Sequence, residues 1–256
     1  GNIINGCLIL KKQEYESSKF QNRTDFVAVI AVELIKVSAN MFYKAKNLRT
    51  VVMPNVGLIL DAQYKNGQYG GAFAYTAVQN CFFPKLIRIG TYAFFDCPIK
   101  SLDKENFPVL QMVGHFGFAE CSIASVELAC LKSIGIEGFR GCKSLKCFSA
   151  EKLQEISFNC FSNCLLLSNI NCNLEPKQFI CNEEVKCDGC PVCYHGIEVC
   201  LQRGRGGWQE NDAIDEGLDK VIKMYNVDVT IQQIIDADDR QIINGCLILK
   251  QQHYQA

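Results

Sequence analysis

Charge imbalance, long apolar runs and catalytic signatures are all missing from this sequence, and each absence removes a class of function. Twenty-six Lys and Arg stand against twenty-seven Asp and Glu, a formal net charge of −1. A chain so balanced has no field with which to gather nucleic acid or an anionic membrane surface. The longest apolar stretch, FVAVIAVELIKV from Phe26, is interrupted by Glu33 and Lys36. It falls well short of the roughly 20 residues a membrane-spanning helix needs. Nucleic acid and membrane insertion are therefore not expected. Histidine is scarce, with only His115, His195 and His253. There is no P-loop, dinucleotide-binding glycine pattern, G-x-S-x-G or H-E-x-x-H. No catalytic residue and no cofactor is expected. A cysteine-based site without a recognised motif is the weaker alternative.

What the chain has in excess is cysteine, 16 residues, and much of it is periodic. LIRIGTYAFFDCPIKSL covers residues 86 to 102, and LQMVGHFGFAECSIASV covers 110 to 126. LKSIGIEGFRGCKSLKCF follows from Leu131, and LQEISFNCFSNCLLLSNI from Leu153. Each stretch reads Leu, then Ile or Val three later, then Phe (94, 118, 139, 161), then Cys three after Phe (97, 121, 142, 164). Weaker copies begin at Leu34 and Gly71, with Ala45 and Thr76 in the cysteine slot. Neither Ala nor Thr can form a disulfide, so the slot is expected to be packed interior holding reduced thiols. A unit this short cannot bury its apolar side alone and must stack on its neighbours.

The pattern L-x-x-I-G-x-x-A-F-x-x-C-x-x-L-x-x-V resembles the BspA-type (Treponema-type) leucine-rich repeat family over about residues 34 to 172. The resemblance implies an α/β leucine-rich-repeat solenoid with one short strand per coil on the inner face. Turns and short helical segments would line the other side, and an irregular Cys-rich cap would close the C-terminal end. It also implies a non-enzymatic protein-protein interaction or adhesion module, at the cell surface or secreted. The alternative is a cytoplasmic scaffold or filament subunit built from tandem modules, whose partners include neighbouring copies of the same module.

One nine-residue string, IINGCLILK, occurs at residues 3–11 and again at 242–250. Asn-Gly between apolar residues is the strongest short-range hairpin signal, because both central positions need positive φ. The expected organisation is an N-terminal hairpin and cap at 1–33 and a solenoid of about six coils at 34–172. A Cys-rich cap and Gly-rich linker follow at 173–212, then a helical connector at 213–239. The start of a second module copy occupies 240–256. Within the cap, Cys187, Cys190, Cys193 and His195 carry the right atoms for zinc. Their overlapping C-x-x-C spacing suits a single tetrahedron poorly, so no metal is expected and zinc on these four is the alternative.

Side chains alternate along each strand. With Val51 and Met53 facing in, counting through the repeats predicts two outward rows on the sheet. The first is Thr50, Asn80, Ser101, Ser125, Cys147 and Asn169. The second, Val52, Phe82, Asp103, Glu127, Ser149 and Asn171, sets exposed apolar groups beside an acidic pair. It is the candidate binding surface for a protein partner.

Overall fold

The computed structural model describes residues 1–179 apart from 13, 14, 17, 66 and 67. It also describes residues 197–206 and the backbone of strands 241–243 and 246–248. Each turn of the chain has three sides. One carries parallel strands Cys7–Ile9, Ala28–Ile30, Thr50–Val52 and Asn80–Phe82, and continues with Ser101–Leu102, Ser125–Glu127, Cys147–Ala150 and Asn169–Cys172. A second side carries a separate parallel sheet of six two-residue strands, from Lys36–Val37 to Glu155–Ile156. The molecule is thus a parallel β-solenoid with two strands in most turns, rather than an α/β solenoid with one.

The third side corrects the expectation of short helical segments. In turn after turn, the residues two before and two after the motif Phe have positive φ. Asn40 and Lys44 (59° and 57°), Tyr92 and Asp96 (57° and 54°), and Phe116 and Glu120 (54° and 59°) are examples. A right-handed helix cannot pass through such residues. Left-handed steps instead turn alternate amides toward the neighbouring coil, so Phe94 N–H donates to Gly117 O and Phe118 N–H to Gly138 O, both at 2.9 Å. Stacking brings backbones so close that a Cβ on Gly90 would collide with Leu60 O. Only glycine fits there.

The interior is a spine of phenylalanine. Phe20, Phe42, Phe73, Phe94, Phe118, Phe139 and Phe161 stack with ring centroids 4.9 to 6.0 Å apart. Seven turns are marked this way. Beside them runs the cysteine slot. Cys97, Cys121, Cys142 and Cys164 are buried, and each thiol donates to the carbonyl of the preceding turn's Phe at 3.1 to 3.2 Å. All eleven cysteines whose side chains are described are free thiols. Burial pushes the Cys97 thiol up to about 12, against a smaller opposing pull from Thr76, and drives Cys121 and Cys142 up as well. The thiolate is the reactive form. A maleimide reagent at pH 8 should therefore leave Cys97, Cys121 and Cys142 unlabelled in the folded protein and label them in 6 M guanidinium. Labelling of Cys121 at equal rates in both conditions would contradict their burial.

The ends differ from the middle. Asn2–Ile4 and Cys7–Ile9 form an antiparallel hairpin whose turn residues Asn5 and Gly6 have φ of 49° and 77°. Both are positive, as a type I′ turn requires. The second strand then pairs in parallel with Ala28–Ile30. With Phe20 in the spine, the first turn of the solenoid lies within residues 1–33. At the other end, helix Ile197–Arg205 lies over strand Asn169–Cys172, with Ile197, Cys200, Leu201 and Gly204 buried. The contact is close: a Cβ on Gly204 would collide with Ile170 O. Residues 180–196, with Cys187, Cys190, Cys193 and His195, lie outside the described residues, as does the expected connector at 213–239. Strands Gln241–Ile243 and Cys246–Ile248 form a second hairpin.

Candidate functional site

The first side, a five-stranded and a four-stranded sheet in succession and together called the longer sheet, holds the two predicted outward rows in two runs. Thr50 pairs with Asn80, and Ser101, Ser125, Cys147 and Asn169 align in sequence. Val52 pairs with Phe82, and Glu127, Ser149 and Asn171 align. The first row is partly sealed, since Thr50 and Cys147 are buried. Every member of the second row is half-buried, leaving part of each side chain open to solvent. Half-buried Ile30 extends this row N-terminally in register with Val52, and Ile9 beyond it is buried. The face has an apolar half, Ile30–Val52–Phe82, and a polar half in which side chains bond along the row. There Asn171 Nδ2 donates to Ser149 Oγ at 3.2 Å, and Asn169 Nδ2 to Cys147 Sγ at 3.6 Å.

Asp103 sits where the halves meet, and its role differs from its neighbours'. The sheet is divided between Asn80–Phe82 and Ser101–Leu102, and the chain detours through residues 103–107. Asp103 holds the detour. Its Oδ1 accepts from the amides of Glu105 and Asn106 at 3.0 and 2.9 Å, and its Oδ2 from Asn106 Nδ2 at 2.9 Å. Asn106 O in turn accepts from Phe83 N–H, and Phe107 stacks on Phe83 at 5.9 Å inside the core. The carboxylate is thus committed to a turn, which leaves Glu127 as the acidic member of the row that stands within a strand.

Two further surfaces escape motif counting. At the second sheet, Met112 is 44% exposed in register with Arg88, half-buried Leu58 and Lys36, and Ile35 and Ile87, each one residue before its strand, are 46% and 47% exposed. Arg88 beside them bonds Asp61 at 2.6 Å, and Asp61 also accepts from the Thr91 amide and hydroxyl. Burial works to raise the Asp61 carboxyl, but the bonds from Arg88 and Thr91 outweigh it and hold it below its ordinary value. The third side carries outer rings as well: Tyr92 stacks on Phe116 at 4.6 Å, and Lys44 Nζ lies 4.9 Å from the Tyr43 ring centroid. These rings sit at or beside positive-φ positions, which a turn motif rich in Gly or Asn would have signalled and Tyr and Phe do not.

None of these surfaces assembles a reactive centre from its own residues. Among the described residues no group of three or more His, Cys, Asp or Glu could hold a metal ion. No helix among them is long and apolar enough to cross a membrane. His115, the histidine in the repeats, accepts the Ile136 amide at Nδ1 (2.8 Å), stitching two coils together.

Residues 69–181 match, in six copies, the BspA type leucine-rich repeat region. That stretch belongs to the BspA-type leucine-rich repeat family. The matched residues contain the spine positions Phe73, Phe94, Phe118, Phe139 and Phe161, and the same ring stacking continues N-terminally to Phe20. No curated protein and no solved structure is matched by the chain. BspA-type repeats suggest a protein-interaction module, and solenoids of this kind are typically not enzymes.

Proposed function

We propose that the chain is a protein-binding or adhesion module that engages its partner through the outward row of the longer sheet, without catalysis. One observation carries this reading. Ile30, Val52 and Phe82 form a half-buried apolar strip in register on one sheet, and Glu127, Ser149 and Asn171 form a polar strip on the next sheet of the same side, with the Asp103 turn between them. A partner with an apolar ridge and polar or cationic groups beyond it would match both halves. Residence at the cell surface or in secretion is the setting the family suggests. A cytoplasmic scaffold is the second reading, favoured by the paired terminal hairpins.

The two halves should contribute differently. Phe82→Ala is expected to speed dissociation at least tenfold, because binding energy concentrates in buried aromatic anchors. Glu127→Lys should slow association and reverse its salt dependence, since exposed charge steers encounter. Surface-bound candidate partners followed by biolayer interferometry would resolve the two rates. Unchanged rates for both variants, with intact circular dichroism, would remove this face from consideration.

A further inference from the structure

The terminal hairpins share more than a string. Both adopt one antiparallel register, Asn2↔Ile9, Ile3↔Leu8 and Ile4↔Cys7 in the first, Gln241↔Ile248, Ile242↔Leu247 and Ile243↔Cys246 in the second. The first hairpin is held on the solenoid by specific groups. Gly6 O accepts from Val27 N–H at 2.7 Å, and Leu10 N–H donates to Ile30 O at 2.9 Å. Leu8 and Leu10 are fully buried in the core. Lys11 N–H donates to the Tyr15 hydroxyl at 3.0 Å, and the Tyr15 ring packs 5.6 Å from Phe20. Each of these hairpin residues recurs 239 positions later, as Gly245, Leu247, Leu249, Lys250 and Tyr254. Residues 1–17 and 240–256 differ at six positions: Gly1 to Arg240, Asn2 to Gln241, Lys12 to Gln251 and Glu16 to Gln255 fall where the first hairpin is exposed, and Glu14 to His253 and Ser17 to Ala256 are the other two.

We infer that the hairpin Gln241–Ile248 of one chain can replace the hairpin Asn2–Ile9 of another, so that copies of this protein join head to tail by hairpin exchange. The occupant is a second copy of the chain, chosen by identity at every position that makes the anchoring contacts. The surface it covers is the edge of strand Ala28–Ile30 and the core beneath it. Such a contact joins unlike surfaces on successive copies, and unless the rotation closes it yields open arrays. The inference rests on the solenoid and not on the sheet face, so the tests of the two are separate.

The test places a protease site between Ser17 and Ser18 of a full chain that carries Leu247→Asp and Leu249→Asp, so that its own second hairpin cannot fill the site. After cleavage, the protein is unfolded in urea and refolded with equal amounts of two labelled peptides, residues 2–17 and residues 241–256. The expected result is capture of both in a ratio within tenfold, and loss of capture when the second peptide carries Leu247→Asp and Leu249→Asp. Preference for 2–17 beyond tenfold, or capture of neither, would overturn the inference. In the uncleaved wild-type chain refolded at high concentration, light scattering should find oligomers that Leu247→Asp abolishes. Oligomers unaffected by that change, or none at all, would overturn it equally.

Discussion

Phe118→Ala is expected to destabilise the protein by about 3 to 5 kcal/mol, the usual cost of emptying a buried aromatic site. Phe118 is fully buried, with Phe94 at 5.3 Å and Phe139 at 5.7 Å on its two faces and Phe107 at 6.2 Å edge-on. Neighbouring turns are locked to it by the amides of Phe94 and Phe118, so they cannot collapse into the void independently. Coils of a solenoid touch only their neighbours, and damage should spread along the stack in one dimension. Urea titration should give the loss in stability. Hydrogen exchange should reveal protection falling first at Phe94 and Phe118 and last near Val29. A wild-type urea midpoint in the variant would be incompatible with a continuous spine.

Asp103→Lys should be the second largest effect, about 2 to 4 kcal/mol, although the residue lies on the outward face. The substitution removes a charged acceptor from two backbone amides and the Asn106 side chain. Hydrogen bonds to a charged group are each worth about 1.5 to 3 kcal/mol and do not simply add. The turn so released carries Phe107 into the core against Phe83 and Phe118, so packing is lost with it. Glu127→Lys, half-exposed within a strand, should stay within about 0.5 kcal/mol of the wild type. Thermal melts of the two variants side by side would separate a turn-holding carboxylate from a surface one. Equal melting temperatures would mean that the detour at 103–107 holds without Asp103. The consequence for binding experiments is direct: charge reversal at this face belongs at Glu127, where a change in association rate is not confounded by unfolding.

Much of this arrangement is legible in the residues. The spacing of Phe94, Phe118, Phe139 and Phe161 gives the spine, and counting outward from Val51 reproduces the observed register of Ser125, Cys147 and Asn169. The second sheet is harder to see, because strands such as Arg88–Ile89 are two residues long and offer no alternation to count. The first turn hides for another reason. Phe20 lies 22 residues before Phe42, in step with the repeat, but Arg23 stands where Ala45 and the later cysteines stand. Spacing alone carried that signal. The role of Asp103 was invisible to register counting, since an extra turn between Leu102 and Leu110 shifts the chain off the strand at that residue. The left-handed backbone at Tyr92 and Phe116 has no local sequence mark either. It is imposed by stacking, which aims their neighbours' amides at the adjacent coil.

The measurement that bears most directly on the proposed binding face is site-specific photocrosslinking. A photoreactive phenylalanine analogue would replace Val52 on the longer sheet in one variant and Met112 on the second sheet in another. Both positions present their side chains outward, so neither change should disturb the core. The protein as found in its native setting should give a discrete adduct from position 52 and none from position 112. An adduct from position 112 alone would place the contact on the second sheet, around Ile35 and Ile87, and would contradict the account.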